Sequence, residues 1–169
     1  MNEGQTILLV DDSKNDIFML RKAFEKAEFY APLQEAHNGE QAIAYLNGEG
    51  RYSDRNQYPL PSIMLLDLNM PMKDGFGVLG WVRKQPAFKR LSVIVLTAST
   101  RPEDVERAFD LGASSYLVKP INIEALAEMI RRLRDWIQIN RFPPMNGTVR
   151  RYSPVDASNI PSQKMRSTE

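Results

Sequence analysis

The sequence predicts an α/β fold, a doubly wound (βα)5 unit whose five parallel strands lie in the order 2-1-3-4-5. Three observations predict it. Short apolar runs alternate with longer stretches of helical periodicity from about Gln5 to Ile139, and strands alternating with helices require right-handed crossovers and a parallel sheet covered on both faces. Ile63 to Leu66 are four large apolar residues in succession, which suits a strand buried on both faces. Four of the runs stop at polar residues of complementary type: Thr6–Val10 at Asp11-Asp12, Ile63–Leu66 at Asp67, Val93–Leu96 at Thr97, and Tyr116–Val118 at Lys119-Pro120.

The elements follow in order. After the first strand, Ser13 with Asp16 forms a capping-box-like start, and Ile17, Leu20, Phe24 and Ala27 recur at helical spacing. Leu33 to Ala36 is a weak second strand. A second helix from about Glu40 to Leu46 carries Ala42, Ile43 and Leu46 on one side, and Gly48 is placed to stop it. The glycines, prolines and charges of Gly48 to Pro61 predict a long surface loop without a regular element. The strand to Asp67 leads through the turn signals Met70-Pro71 and Asp74-Gly75 into a helix from Gly75 to about Lys84. Ser92 to Thr97 is the fourth strand. Pro102 with Glu103 and Asp104 suits a helix start, with Val105, Ala108 and Phe109 as its inner face and Gly112 as its end. After the fifth strand, Asn122 caps a long helix striped by Ile123, Leu126, Ala127, Ile130, Leu133 and Ile137. Five such units are expected in the flavodoxin-like arrangement, with strands 1 and 3 adjacent at the switch point.

Composition narrows the function. A net charge of +1 gives no global argument for nucleic acid or a lipid surface, and the absence of cysteine excludes disulfides and thiolate chemistry. No apolar run approaches the roughly 18 residues of a membrane span. The expectation is a soluble cytoplasmic protein.

Ligands of open parallel sheets bind beyond the carboxyl ends of the strands. Asp67 there is a functional candidate, although an acid at that point also serves as a cap for the next turn. With strands 1 and 3 adjacent, Asp11, Asp12 and Asp67 form an acidic crevice. Two charges about 4 Å apart repel by roughly 4 kcal/mol at an effective dielectric of 20, so a cation must join them or one must take up a proton. An all-oxygen site suits Mg²⁺ or Mn²⁺ better than zinc. A carboxylate beside such an ion and a lysine is a plausible phosphoryl acceptor, with Thr97 and Lys119 able to reach the phosphoryl oxygens. A cis Lys119-Pro120 bond would be one means of aiming the lysine, although the pair is also an ordinary strand terminator. The sole histidine, His37, reads as an ordinary surface or satisfied imidazole away from the cluster.

Asp11-Asp12, Asp67, Thr97-Ala98 and Lys119-Pro120, at these separations on this strand order, resemble the receiver domain of two-component response regulators of the CheY type. The resemblance covers about Gln5 to Ile139. It implies that Asp67 accepts phosphate from a phosphohistidine on a sensor histidine kinase or phosphotransfer protein. It further implies Mg²⁺ held by Asp12, Asp67 and the backbone carbonyl of Asn69, with Asp11 contacting it through water. Thr97 and Lys119 would hold the phosphoryl group, and Thr97 and Tyr116 would form the switch. The Gly48–Pro61 loop and the wording LLDLNMPMKDG also look like the small stand-alone receivers that serve bacterial phytochromes.

Beyond the receiver, residues 140–169 hold four prolines and many small polar residues, and five basic residues against two acids. An extended or disordered tail is expected, too short for a DNA-reading output domain. Phe142, Met145, Val149 and Tyr152 instead suit a segment that packs back on the domain or crosses to a second copy as a dimerisation arm, with Met129, Trp136 and Ile139 as its docking surface. Arg131, Arg132 and Arg134 read as a charged outer helix face. The competing function is a metal-dependent aspartyl-phosphate phosphatase or phosphotransferase. Such enzymes generally want a second acid two positions past the nucleophile, where this chain has Asn69. A flavodoxin is disfavoured, because its first strand should lead into a hydroxyl-rich phosphate loop.

Overall fold

The computed structural model describes residues 5–143 and residue 145. Its elements are β1 (Ile7–Val10), α1 (Lys14–Lys26), β2 (Leu33–Ala36), α2 (Gly39–Asn47), β3 (Ile63–Leu66), α3 (Gly75–Lys84), β4 (Ser92–Thr97), α4 (Pro102–Asp110), β5 (Ser115–Val118) and α5 (Ile123–Ile139). The five strands pair in parallel in the order β2-β1-β3-β4-β5, as the alternation of elements predicts.

Successive strand side chains point to opposite faces, and this splits the core in two. Ile7, Leu9, Ile63, Leu65, Ile94 and Leu96 meet α1 and α5 on one face. Leu8, Val10, Met64, Leu66 and Val93 meet α2 and α3 on the other. A smaller cluster of Leu68, Phe76, Val95 and Ala108 seats α4. Burial on both faces is why β1 and β3 carry no polar side chain within their length.

Several local expectations are corrected. The capping box at α1 forms only in part: the Ser13 hydroxyl accepts from the Asp16 N–H at 3.1 Å, but the Ser13 N–H donates to Asp11 Oδ1 at 2.9 Å. Gly48–Pro61 is a long loop, as expected, but not one without a regular element. It contains a 3-10 turn, Gly50–Ser53, and Tyr52 is buried against Tyr45 and Tyr58. Arg55 bonds the carbonyls of Tyr45, Leu46 and Tyr58. In α4, Ala108 is buried but Phe109 is half exposed, because this short helix touches the rest of the fold along a single narrow line. Gly48 and Gly112 do end their helical segments, in the left-handed region at φ 70° and 93°.

α5 ends at Ile139 with Asn140 beyond it. Phe142 packs against the α1/α5 side and meets the Trp136 ring edge-on at 5.7 Å, while Met145 packs on the opposite core. Trp136 and Ile139 stay exposed. The expected disorder or dimerisation role of residues 146–169 lies outside the described residues. No described helix is long and apolar enough to cross a membrane.

Candidate functional site

The register pairs Val10 with Leu66, so the next residue of each strand, Asp11 and Asp67, leaves the sheet side by side. The backbone ladder carries both one step further: the Asp67 N–H donates to the Val10 carbonyl at 2.9 Å, and the Asp11 N–H to that of Ala36 at 3.1 Å. Carboxylate oxygens of Asp11, Asp12 and Asp67 lie within 4.8 Å of one another. Asp11 and Asp67 are buried, and Asp12 faces solvent.

Lys119 follows β5, two strands away from β3. Strands sit about 4.8 Å apart, so only a long side chain covers that span. Its Nζ lies 2.5 Å from Asp11 Oδ2, 2.8 Å from Asp16 Oδ2 and 3.6 Å from Asp67 Oδ2. The described residues contain no cis peptide bond, so Lys119-Pro120 is trans, and the lysine is directed by these acids instead.

The charges set each other's proton affinities. Burial raises the Asp11 carboxyl above the ordinary aspartate range, against the opposing hydrogen bonds from Lys119 and the Ser13 N–H. Burial would lower the Lys119 ammonium, but bonds to Asp11 and Asp16 and the charges of Asp67 and Asp11 outweigh it, and the net shift is upward. For Asp16, burial pushes up, while the Lys119 bond and charge and the Ser13 hydroxyl bring the carboxyl below its ordinary value.

A divalent cation fits this donor set. Asp67 Oδ1 is buried and has no hydrogen-bond partner among the described residues, and an unpaired buried carboxylate oxygen is costly unless a cation or donor reaches it. The grouped donors are all carboxylate oxygens, the preference of Mg²⁺ and Mn²⁺ rather than zinc.

Thr97 ends β4 fully buried. Its hydroxyl accepts from Asn69 Nδ2 and from the Ser99 N–H, each at 3.4 Å, long bonds that hold it loosely. The Tyr116 hydroxyl donates to the Ser99 carbonyl at 3.1 Å, and the Ser99 hydroxyl to Asp104 at 2.5 Å. Thr97, Ser99 and Tyr116 therefore form one connected chain. Ala98 is exposed, leaving the pocket side open.

His37 is outside the acidic group, as expected, but it is not fully satisfied. Its Nε2 lies 3.5 Å from Glu35, and its Nδ1 is buried without a hydrogen-bond partner among the described residues. Sequence reasoning missed Asp16 as a member of the site. Its spacing was legible: a first-turn acid on the helix that starts three residues past Asp11 faces back over the strand ends.

Comparison with known proteins agrees with this geometry. The family model for the response regulator receiver domain matches residues 7–131. The response regulator Rcp1 of Synechocystis sp. is 34% identical over 143 residues, which cover 84% of this chain and 95% of that protein. Its structure in a Mn²⁺-bound form superposes with a TM-score of 0.73 at 33% identity, over 83% of this chain and 99% of that one. The phosphorylated cyanobacterial phytochrome response regulator RcpA gives 0.75 at 31% identity, with the same coverage. RPA3017, of red light signaling in R. palustris, gives 0.78 at 36% identity, again over 83% and 99%.

Proposed function

The chain belongs to the response regulator receiver family, and from that premise we propose that Asp67 is its phosphoacceptor, fed by a histidine kinase of the phytochrome type. A receiver accepts a phosphoryl group in a two-component phosphorelay. The observation that carries the assignment to Asp67 is its buried carboxylate, one oxygen without a hydrogen-bond partner among the described residues and the other 3.6 Å from Lys119.

In the transfer, an Asp67 oxygen attacks the phosphorus of a phosphohistidine. The new P–O bond forms as the P–N bond breaks, and the electron pair stays on the imidazole nitrogen. Lys119 supplies a fixed positive charge to the phosphoryl oxygens, and Thr97 a hydroxyl proton. Asp11, Asp12, Asp67 and the Asn69 main chain would hold Mg²⁺, or the Mn²⁺ carried by the Rcp1 structure, which would offset charge on the phosphoryl oxygens.

The output is a change of binding partner. A Thr97 hydroxyl drawn toward the phosphoryl group gives up two long bonds, and Ser99 passes the shift to Tyr116. The face of α4, β5 and α5 then shifts between two states. Exposed Trp136 and Ile139 support a homodimer through α5 and the segment beyond it. An unchanged size-exclusion mass on cutting after Asn140 would rule that contact out. The cytoplasm, where the histidine kinase presents its phosphohistidine, is the proposed location.

Incubation with acetyl phosphate and Mg²⁺ tests the reading. One labile phosphate on Asp67 with slow turnover is expected. Labelling of an Asp67→Asn variant would discredit the assignment. Fast turnover of a particular substrate would favour the aspartyl-phosphate enzyme, a reading that Asn69 at the second acid's position already disfavours.

A further inference from the structure

The Lys119 ammonium has three protons, and three carboxylate oxygens surround it unequally. Asp11 and Asp16 are within hydrogen-bond distance at 2.5 and 2.8 Å, whereas Asp67 at 3.6 Å is not. Asp11 is fixed to the end of β1 by the Ser13 N–H. Asp16 is fixed to the first turn of α1, its own N–H held by the Ser13 hydroxyl. The two anchors thus flank the β1–α1 turn, one just past the strand end and one in the first turn of the helix.

We propose that Asp16 is a positioning residue for phosphoryl transfer: with Asp11 it occupies two of the ammonium protons and so directs the third at Asp67, where a phosphoryl oxygen accepts it. The proposal rests on the reading of Asp67 as phosphoacceptor. A lysine is a point charge on a four-carbon stem, and a single tether leaves that stem free to swing about it. Asp11 is nearly inaccessible, with 3% of its side chain exposed, while 39% of the Asp16 side chain is exposed. Asp16 therefore closes the solvent side of the ammonium, where water would otherwise take the proton. Its charge adds a fourth acid to a crowded acidic pocket, which costs stability by repulsion. What that charge provides is a fixed lysine.

The test is the rate of Asp67 labelling by acetyl phosphate, varied separately in donor and in Mg²⁺, for the full chain and for Asp16→Ala and Asp16→Asn. Alanine is the best helix former, and Asp16 is partly exposed, so the variant folds, which thermal denaturation checks. For Asp16→Ala the maximal rate should fall about tenfold, in keeping with the cost of misplacing a reacting group by a fraction of an ångström. Half-saturating Mg²⁺ should stay within about twofold, because the lysine is not a ligand of the ion. Asp16→Asn keeps an oxygen acceptor for the ammonium and should return the rate to within about threefold of the parent. A maximal rate unchanged in Asp16→Ala, a loss confined to half-saturating Mg²⁺, or an Asp16→Asn as slow as the alanine variant would each overturn the proposal. Asp67→Asn in the same assay separates the two levels: label there sinks the phosphoacceptor reading, whereas no label there beside an unaffected Asp16→Ala sinks only the role of Asp16.

Discussion

A β-carbon on Gly75 would stand 2.3 Å from the carbonyl oxygen of Asp67 and 2.7 Å from Leu68 Cα. The first residue of α3 is thus pressed against the backbone that presents the acidic carboxylate, and the Gly75 N–H donates to the Leu68 carbonyl at 3.0 Å. Both obstructing atoms are main chain and cannot rotate away. Gly75→Ala is therefore expected to lose about 1–3 kcal/mol of stability by overpacking. Urea denaturation measures that loss. It should also slow Asp67 labelling, since relieving the clash displaces the residue that carries the acceptor.

Arg55 separates stability from signalling. Its guanidinium bonds three carbonyls at 2.7, 2.8 and 3.2 Å and ties the turn after α2 to the chain before β3. Arg55→Ala leaves those acceptors short of partners, so a loss of about 2–3 kcal/mol is expected. The loop lies at the opposite end of β3 from Asp67, and labelling below the melting transition should match the parent. Slowed labelling there would show that the loop steers the site.

The difference between these two sites also explains what could be read in the sequence. Ile63–Leu66 had to be a central strand because four apolar side chains in succession need two covered faces. The strand order then brought Asp11 beside Asp67 without further information. For Gly48–Pro61 the sequence shows the loop but not its packing, because composition reports glycine and charge but not that one arginine can satisfy three carbonyls, a long-range arrangement with no local signal. Spacing alone places Phe109 inward, yet Ala108 is the buried residue of α4. Asp16 was legible as a first-turn acid, but helix capping gave it a sufficient local role and concealed its partner 103 residues away.

Lys119 sets an alkaline limit. Its native proton affinity lies above the ordinary 10.5 through its bonds to Asp11 and Asp16, which outweigh burial. A group whose affinity is raised on folding adds stability that is complete below its unfolded value and is lost as pH climbs through the native one. The stability advantage of the parent over Lys119→Met should therefore hold constant between about pH 7 and 9 and shrink above about pH 11. Urea midpoints of both proteins across that range give the difference directly. A gap that widened with pH would mean that the acids do not hold the proton on Lys119.

Asp67→Asn should reverse its rank with the parent when a divalent ion is added. In the absence of metal, Asp67 gains from Lys119 at 3.6 Å but opposes two carboxylates within 4.8 Å. At an effective dielectric of 20 the attraction is about 4.6 kcal/mol and each repulsion at least about 3.5 kcal/mol, so the repulsions win. Asp12 is exposed, and solvent screening reduces the net to about 1 kcal/mol. Without divalent ions the variant should therefore melt above the parent. With Mg²⁺ at about a hundred times its Kd, the parent gains about 2.7 kcal/mol by mass action. The variant, one carboxylate short, gains little, and the order of melting temperatures inverts. A variant that melted below the parent in chelator, or that gained as much from Mg²⁺, would remove the physical basis for placing a cation against Asp67.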